Sequence, residues 1–487
     1  MNITLLVVVL AIYFVGMVGI GVAGRKYAQN FDSFVSAGRN AGVMMIIGSA
    51  VGSQIGNGFV VGGAGAAAQT GMSGAWYGIA CGIGYLVIAV VLNKIVYTKG
   101  FISLPEFLEE RYGDKMTSIV FSLATVCSYV GNIAAQIMAG SALFQAFGLN
   151  GTLGAVVITL VVLAYSSLSG LWGAYATSVV QVIIIMAALI LATLSTIRSG
   201  GIGVINDAIS AGTLPKNFWN IGNIGLAPIL LTVVPVCLAA LCDQQTVQRI
   251  NAAKSEKVSM TAHIISTVLC VVLAILPAFI GMYGAAAYGV KDNSVFFVVA
   301  MKHLSPLLAA ITIAAVIAAI MSTIDSMMVG FSTVLLKNIY KGMIRPDASE
   351  RSLKIGDTLI SVIVAVISLY ISLQFTNIID LLANTYLFLS ACCLIPFVGG
   401  LFWKKGTARG AVASAIVGLV LIALCLTNLV PMPKIIMSYK DLTPVAIALV
   451  VYIIVSLTDQ EGQTKNRARE AEKAAKAAGE AAPSREA

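Results

Sequence analysis

The sequence predicts an all-α protein that crosses a membrane many times, on three observations. Its 487 residues are 59% hydrophobic and 10% charged, with a mean hydropathy of +0.94, whereas a soluble surface calls for about a quarter charged residues. Apolar stretches of about 20 residues, each able to span a hydrocarbon core as a helix, recur thirteen times, near residues 2–23, 43–66, 73–97, 116–147, 151–170, 172–197, 226–250, 259–287, 305–336, 353–374, 377–403, 407–428 and 442–457. The third observation is the placement of Lys and Arg. With the N-terminus outside, 24 of the 30 fall in cytoplasmic loops or the C-terminal tail, leaving Arg198, Lys216, Lys291, Lys302, Lys434 and Lys440 on the outer side. Basic residues stay inside, so the net charge of +9 reads as topology and not as a nucleic-acid surface. The chain is expected to be a single transmembrane domain over residues 1–457 in the cell membrane, with residues 458–487 an Ala/Lys/Glu-rich, disordered cytoplasmic tail.

The first segment is no signal peptide by pattern, because Arg25 and Lys26 follow its apolar run instead of preceding it. The second is interrupted by Gly48, Gly52, Gly56 and Gly58 together with Gln54 and Asn57. Such a stretch is expected to unwind, and irregular backbone at membrane depth lines a cavity; close helix packing through small residues is the other reading. Residues 100–112 form an amphipathic loop, read as a short helix on the membrane surface. Segment 116–147 carries Ser128, Tyr129, Asn132 and Gln136, a polar stripe that must face protein or water. Residues 169–181 make a tight uncharged turn into the next helix, and 198–225 is long enough to fold over the outer mouth. The eight Cys fall within apolar spans without CxxC spacing and read as small core residues. No constellation suggests an enzyme.

The most informative segment is 305–336. Ala319, Ser322, Thr323 and Ser326 are spaced i, i+3, i+4, i+7 and share one helical face, with Asp325 a turn beyond Ser322. Hydroxyl and carbonyl oxygens on that face can hold a small cation, and an ionisable residue at this depth marks function by default. Ser and Thr can also bond back to their own helix or join neighbours.

An internal repeat connects these segments. The long helices at 116 and 305 are 189 residues apart, and the same offset carries the interruption at 52–58 onto 241–247, where Cys242, Asp243, Gln244, Gln245 and Thr246 break the seventh segment. Five spans separate corresponding members, so the halves are inverted, a pattern of secondary transporters. The repeats are expected over 43–197 and 226–403, preceded by an extra helix at 2–23 and followed by two within 407–457.

Taken together, Ala319-x-x-Ser322-Thr323, Leu104-Pro105-Glu106-Phe107-Leu108, the Gly-rich first core helix, the stretch from Ser169-Gly170-Leu171 to Gln181, and Gln248-Arg249 resemble the sodium:solute symporter family. The resemblance covers about residues 1–455 and implies a LeuT-type inverted five-plus-five fold with thirteen spans. It implies alternating-access symport of sodium, the coupling ion, with a small organic solute, a monomer sufficing. Its main sodium site would fall on the carbonyls of Gly52, Ile55 and Ala319 and the hydroxyls of Ser322 and Thr323. Many members carry an Asp where this chain has Ser178, and the hydroxyls that partner it correspond here to Asp325 and Ser326. A second cation site or exit relay is therefore expected from Ser178, Ser322, Asp325 and Ser326, with the carboxylate relocated. Gln54, Asn57, Tyr129, Asn132, Val236 and Ala239 are expected to enclose the solute. Val236 and Ala239 stand where similar sugar carriers offer polar or aromatic groups, which favours an amino acid or small carboxylate. Proton coupling through Asp325 and a solute-sensing role are the competing readings.

Overall fold

The computed structural model describes residues 3–24, 39–101, 103–166, 170–427, 440 and 442–469. Among them the secondary structure is helical, apart from one isolated bridge between Ala41 and Ala253. Each expected apolar stretch contains a helix. Eight described helices are long and apolar enough to cross a membrane, or ten if each of two bent pairs is one span; the figure of thirteen crossings rests on the sequence.

The chain begins with α1 (Ile3–Gly24) and enters the bundle with α2 (Val43–Gln54). The stretch expected to unwind stays helical but widens into π-type turns over Ile55–Gly62, then resumes as α3 (Gly63–Thr70). The glycines loosen the helix without interrupting it, and such widened turns favour functional sites. Gly71, at φ +70°, turns the chain into α4 (Trp76–Val87), which continues through further π turns into α5 (Asn93–Lys99). A Cβ on Gly71 would lie 2.0 Å from the Phe218 carbonyl oxygen, so both conformation and space require glycine.

The short helix expected near 100–112 is α6 (Leu104–Tyr112), started by a Ser103/Glu106 capping box. It is docked on protein: Leu104, Phe107, Leu108 and Tyr112 are buried, and Arg111 donates to the carbonyls of Gly400, Trp403 and Lys404. Next come α7 (Lys115–Ala146), α8 (Gly151–Ser166), α9 (Gly170–Arg198) and α10 (Gly201–Ser210). The connection after α10 folds back so that the Phe218 carbonyl accepts from Met72 N.

The seventh span is α11 (Leu226–Leu241) and α12 (Gln244–Ala252), bent by 53° at Cys242–Asp243, where the Asp243 side chain caps α12. Then follow α13 (Glu256–Leu273), α14 (Ile275–Tyr288), α15 (Val295–His303) and α16 (Pro306–Ser332), the last continued by π turns over Thr333–Ile344. The most apolar window of this long helix is 83% buried against 28% for α17 (Glu350–Ser372), so α16 is a central post and α17 a lipid-facing stave. The remaining spans are α18 (Ile378–Leu387), which passes through π turns into α19 (Ile395–Phe402), then α20 (Ala408–Thr427) and α21 (Thr443–Thr458).

The start of the tail differs from the expected disorder. Gln460–Arg469 is helical, α22, bent by 80° from α21 and tied back by Asn466 to the Gly406 carbonyl and by Arg469 to the carbonyls of Tyr112 and Gly113. Residues 470–487 lie outside the described residues.

Long-range bonds sort the connections into two ends. At the basic end, Ala41 bonds Ala252 and Lys254, Asn251 donates to Phe101 O, Asn93 to Glu256 O, and Asn338 to Ser103. At the opposite end, Trp76 donates to Ile221 O, Gln69 to Lys291 O and Asn293 to Thr376 O.

Candidate ion and solute site

The end of α2, just before the π-widened turns, faces α16 and α9 at the centre of the bundle. Gly52 permits the approach: a Cβ there would lie 3.1 Å from Val182 Cγ2 and 3.4 Å from Ser322 Oγ. The Thr323 hydroxyl sits 3.0 Å from the Ser53 carbonyl oxygen, 3.0 Å from that of Ala319 and 3.5 Å from that of Gly52. One hydroxyl hydrogen can serve only one of the three carbonyls at a time. A buried group of neutral hydroxyl and carbonyl oxygens is the donor set that suits a hard cation. Beside it, Ser322 Oγ and Ser178 Oγ are 2.6 Å apart. Ile55, Ala319, Ser322, Thr323 and Ser178 are all buried, and Ser326 Oγ, a turn further along α16, is buried without a hydrogen-bond partner. The structure thus brings Gly52, Ala319, Ser322, Thr323 and Ser178 into one cluster across three helices. The side chain of Asp325 lies outside the described residues.

Next to this cluster lies a cavity of about 40 Å³, room for roughly three waters. Gln54, Tyr129, Asn132, Val236 and Ala239, the described members of the expected solute set, all line it; the side chain of Asn57 lies outside the described residues. The polar stripe of α7 supplies Ser128, Tyr129 and Asn132, while the bend between α11 and α12 supplies Asp243, Gln245 and Thr246. Tyr129 links the two, donating to Asp243 Oδ1 at 2.9 Å and accepting from Gln245 N at 3.0 Å.

The sequence assigned no site role to three features of this cavity. Arg249 is 1% exposed and holds the second and seventh spans together. Its Nε donates to Ser49 Oγ at 3.1 Å and its Nη2 to Ser53 Oγ at 2.6 Å and to Gln245 Oε1. The signal was available, since a guanidinium inside an apolar stretch is costly unless partnered. The second feature is the Tyr77–Tyr386 hydroxyl pair, 2.9 Å apart in the cavity wall. Those residues are 309 positions apart, and nothing local joins them. The third is Ser53, whose carbonyl faces Thr323 while its hydroxyl faces Arg249 in the cavity wall.

The profile of the sodium:solute symporter family matches residues 34–418. The high-affinity proline transporter PutP of Bacillus subtilis (strain 168) is 27% identical over 428 residues, covering 82% of this chain and 88% of that one. A sodium/proline symporter of Staphylococcus aureus (strain JH9) is 25% identical over 482 residues, covering 93% of each. Among solved structures, a substrate-bound outward-open Na+-coupled sialic acid symporter superposes with a TM-score of 0.76 at 18% identity, over 93% of this chain and 97% of that one. That likeness establishes the shared LeuT-type helical fold, and the family match establishes the activity class. The chain belongs to the sodium:solute symporter family and is a multi-pass membrane symporter that couples sodium to the movement of a small organic solute.

Proposed function

We propose that this symporter imports a small amino acid of the size class of proline, held in the cavity between α2, α7 and α11, with sodium bound in the adjoining oxygen cluster. The observation that carries this reading is Ser53: one residue gives its carbonyl to the Thr323 cluster and its hydroxyl to the solute cavity. A cation on the carbonyls of Gly52, Ile55 and Ala319 and the hydroxyls of Ser322 and Thr323 would hold α2 against α16 and thereby fix one wall of the cavity. Ion and solute then favour the same conformation, each raising the other's affinity equally.

The solute assignment rests on the lining and on the relatives. Arg249 and Asp243 are already engaged by protein groups, which leaves Gln54, Asn57 and Asn132 to recognise polar ends and Val236 and Ala239 to pack against an apolar body. The bacterial relatives named above are proline transporters. Ser178, Ser322, Asp325 and Ser326 form a second cation site or an exit relay below the first. Arg249 closes the cavity towards the basic end, which is cytoplasmic by the placement of Lys and Arg, and Tyr77 with Tyr386 closes it on the other side. The N-terminus is then outside, the C-terminus inside, and a monomer suffices. The second span, widened at Ile55–Gly62, and the seventh, bent at Cys242–Asp243, are then corresponding members of inverted repeats.

The test is a thermal-shift screen of the purified protein against amino acids, small carboxylates and sugars, in sodium and in choline. A shift by L-proline or a similar small amino acid that grows with sodium supports the reading. A shift by sugars alone, or one indifferent to sodium, contradicts it.

A further inference from the structure

We propose that the side-chain amide of Gln136 is a further ligand of the coupling cation, through its oxygen, and that it fastens α7 to the ion site. Gln136 is fully buried, and neither its Oε1 nor its Nε2 has a hydrogen-bond partner. A buried amide left unpaired at both ends is disfavoured against an apolar side chain of the same size, so its presence calls for something polar to meet it. The geometry points to what that is. A Cβ placed on Gly56 would lie 2.9 Å from Gln136 Oε1, 3.1 Å from Thr323 Oγ1 and 3.3 Å from the Ala319 carbonyl oxygen. Three oxygens, from α7 and from two positions of α16, therefore gather over the bare α-carbon of Gly56, within the π-widened stretch of the second span.

An amide oxygen is a hard, neutral donor of the same kind as the carbonyls already in the cluster, so it adds a ligand without adding charge. Its position also has a consequence for coupling. Tyr129 and Asn132, seven and four residues earlier on α7, share a helical face with Gln136 and line the solute cavity. A cation that grips Gln136 fixes the helix that shapes the cavity, and a solute that fills the cavity fixes the helix that offers Gln136. This inference rests on the sodium site proposed above, and its test separates the two.

The full-length protein, wild type and the variants Thr323→Ala, Gln136→Leu, Gln136→Glu and Gly56→Ala, is purified in detergent. Its thermal stability is titrated with sodium chloride at constant ionic strength against choline chloride. The expected result is a half-saturating sodium concentration raised about tenfold in Gln136→Leu, the scale on which removing one partner of a buried polar or charged group acts. Gln136→Glu, which keeps the oxygen, should stay at or below the wild-type value. Gly56→Ala, which fills the point where the oxygens meet, should weaken sodium as well, and it carries the test should Gln136→Leu not fold. Gln136→Leu or Gly56→Ala within twofold of wild type, while Thr323→Ala loses its sodium response, overturns the role of Gln136 alone. A wild-type protein indifferent to sodium overturns the site itself.

Discussion

Replacing Thr323 with Ala removes the oxygen at the centre of the proposed ion site and leaves the helix intact, because Ala is the better helix former. Thr323 Oγ1 lies 3.0 Å from two carbonyl oxygens and 3.5 Å from a third, but its single hydrogen satisfies one at a time. Without sodium the substitution thus costs the fold about one hydrogen bond, on the order of 1 kcal/mol. The occupied site loses a ligand and its share of the cation's charge, about 1 to 3 kcal/mol. The affinity for sodium should fall by roughly 5- to 150-fold, while the melting temperature without sodium changes little. The assay is initial uptake into proteoliposomes as a function of external sodium at fixed solute. Half-saturation should shift upward and the maximal rate should be largely recovered at high sodium. If Thr323→Ala keeps the wild-type sodium dependence, the assignment of the cluster is wrong.

Further outcomes follow from neighbouring residues. Ala239→Trp, which fills a cavity of about 40 Å³, should abolish solute uptake while preserving the sodium-induced thermal shift; normal uptake would remove α11 from the solute site. Asp325→Ser should lower transport or the sodium Hill coefficient, and adding Ser178→Asp should restore it, because Ser178 already meets Ser322 at 2.6 Å; absence of rescue would make Asp325 a helix-packing residue, since the new acid would be buried unpaired at a cost of several kcal/mol. Arg249→Lys keeps the charge but cannot hold Ser49, Ser53 and Gln245 with one planar fork. It should reduce steady-state accumulation with sodium half-saturation within twofold of wild type, and an unchanged accumulation ratio would remove Arg249 from the closure.

Much of this architecture was legible because the bilayer imposes a simple rule: apolar length gives spans, and any polar group within them needs a reason. The Ser/Thr face of α16, the Gly-rich second span and the break at Asp243 stood out on that ground, and Asp243 is itself the N-cap that restarts the helix. Local sequence does not reveal how a glycine-rich helix loosens, and here it widens into π turns where unwinding was expected. Pairings between distant helices were likewise hidden. Tyr77 meets Tyr386 only because the fold brings their spans together, and Ser178 was paired with the α16 hydroxyls through family resemblance. The helical start of the tail is also a tertiary effect. Its charged composition suggested disorder, but Arg409 engages Asp459 and Glu461, Asn466 is buried against Gly406, and Arg469 caps the end of α6.

The central claim is that sodium, bound where α2 meets α16, drives solute accumulation. It is tested most directly by loading proteoliposomes of wild type and Thr323→Ala and following L-[3H]proline, or the amino acid giving the largest sodium-dependent thermal shift, under an imposed sodium gradient or an imposed proton gradient. The account predicts accumulation above equilibrium with the inward sodium gradient alone, none with the proton gradient alone, and a rightward shift in sodium dependence for Thr323→Ala. Accumulation driven by protons and indifferent to sodium, with Thr323→Ala behaving as wild type, would contradict it and return the coupling to Asp325.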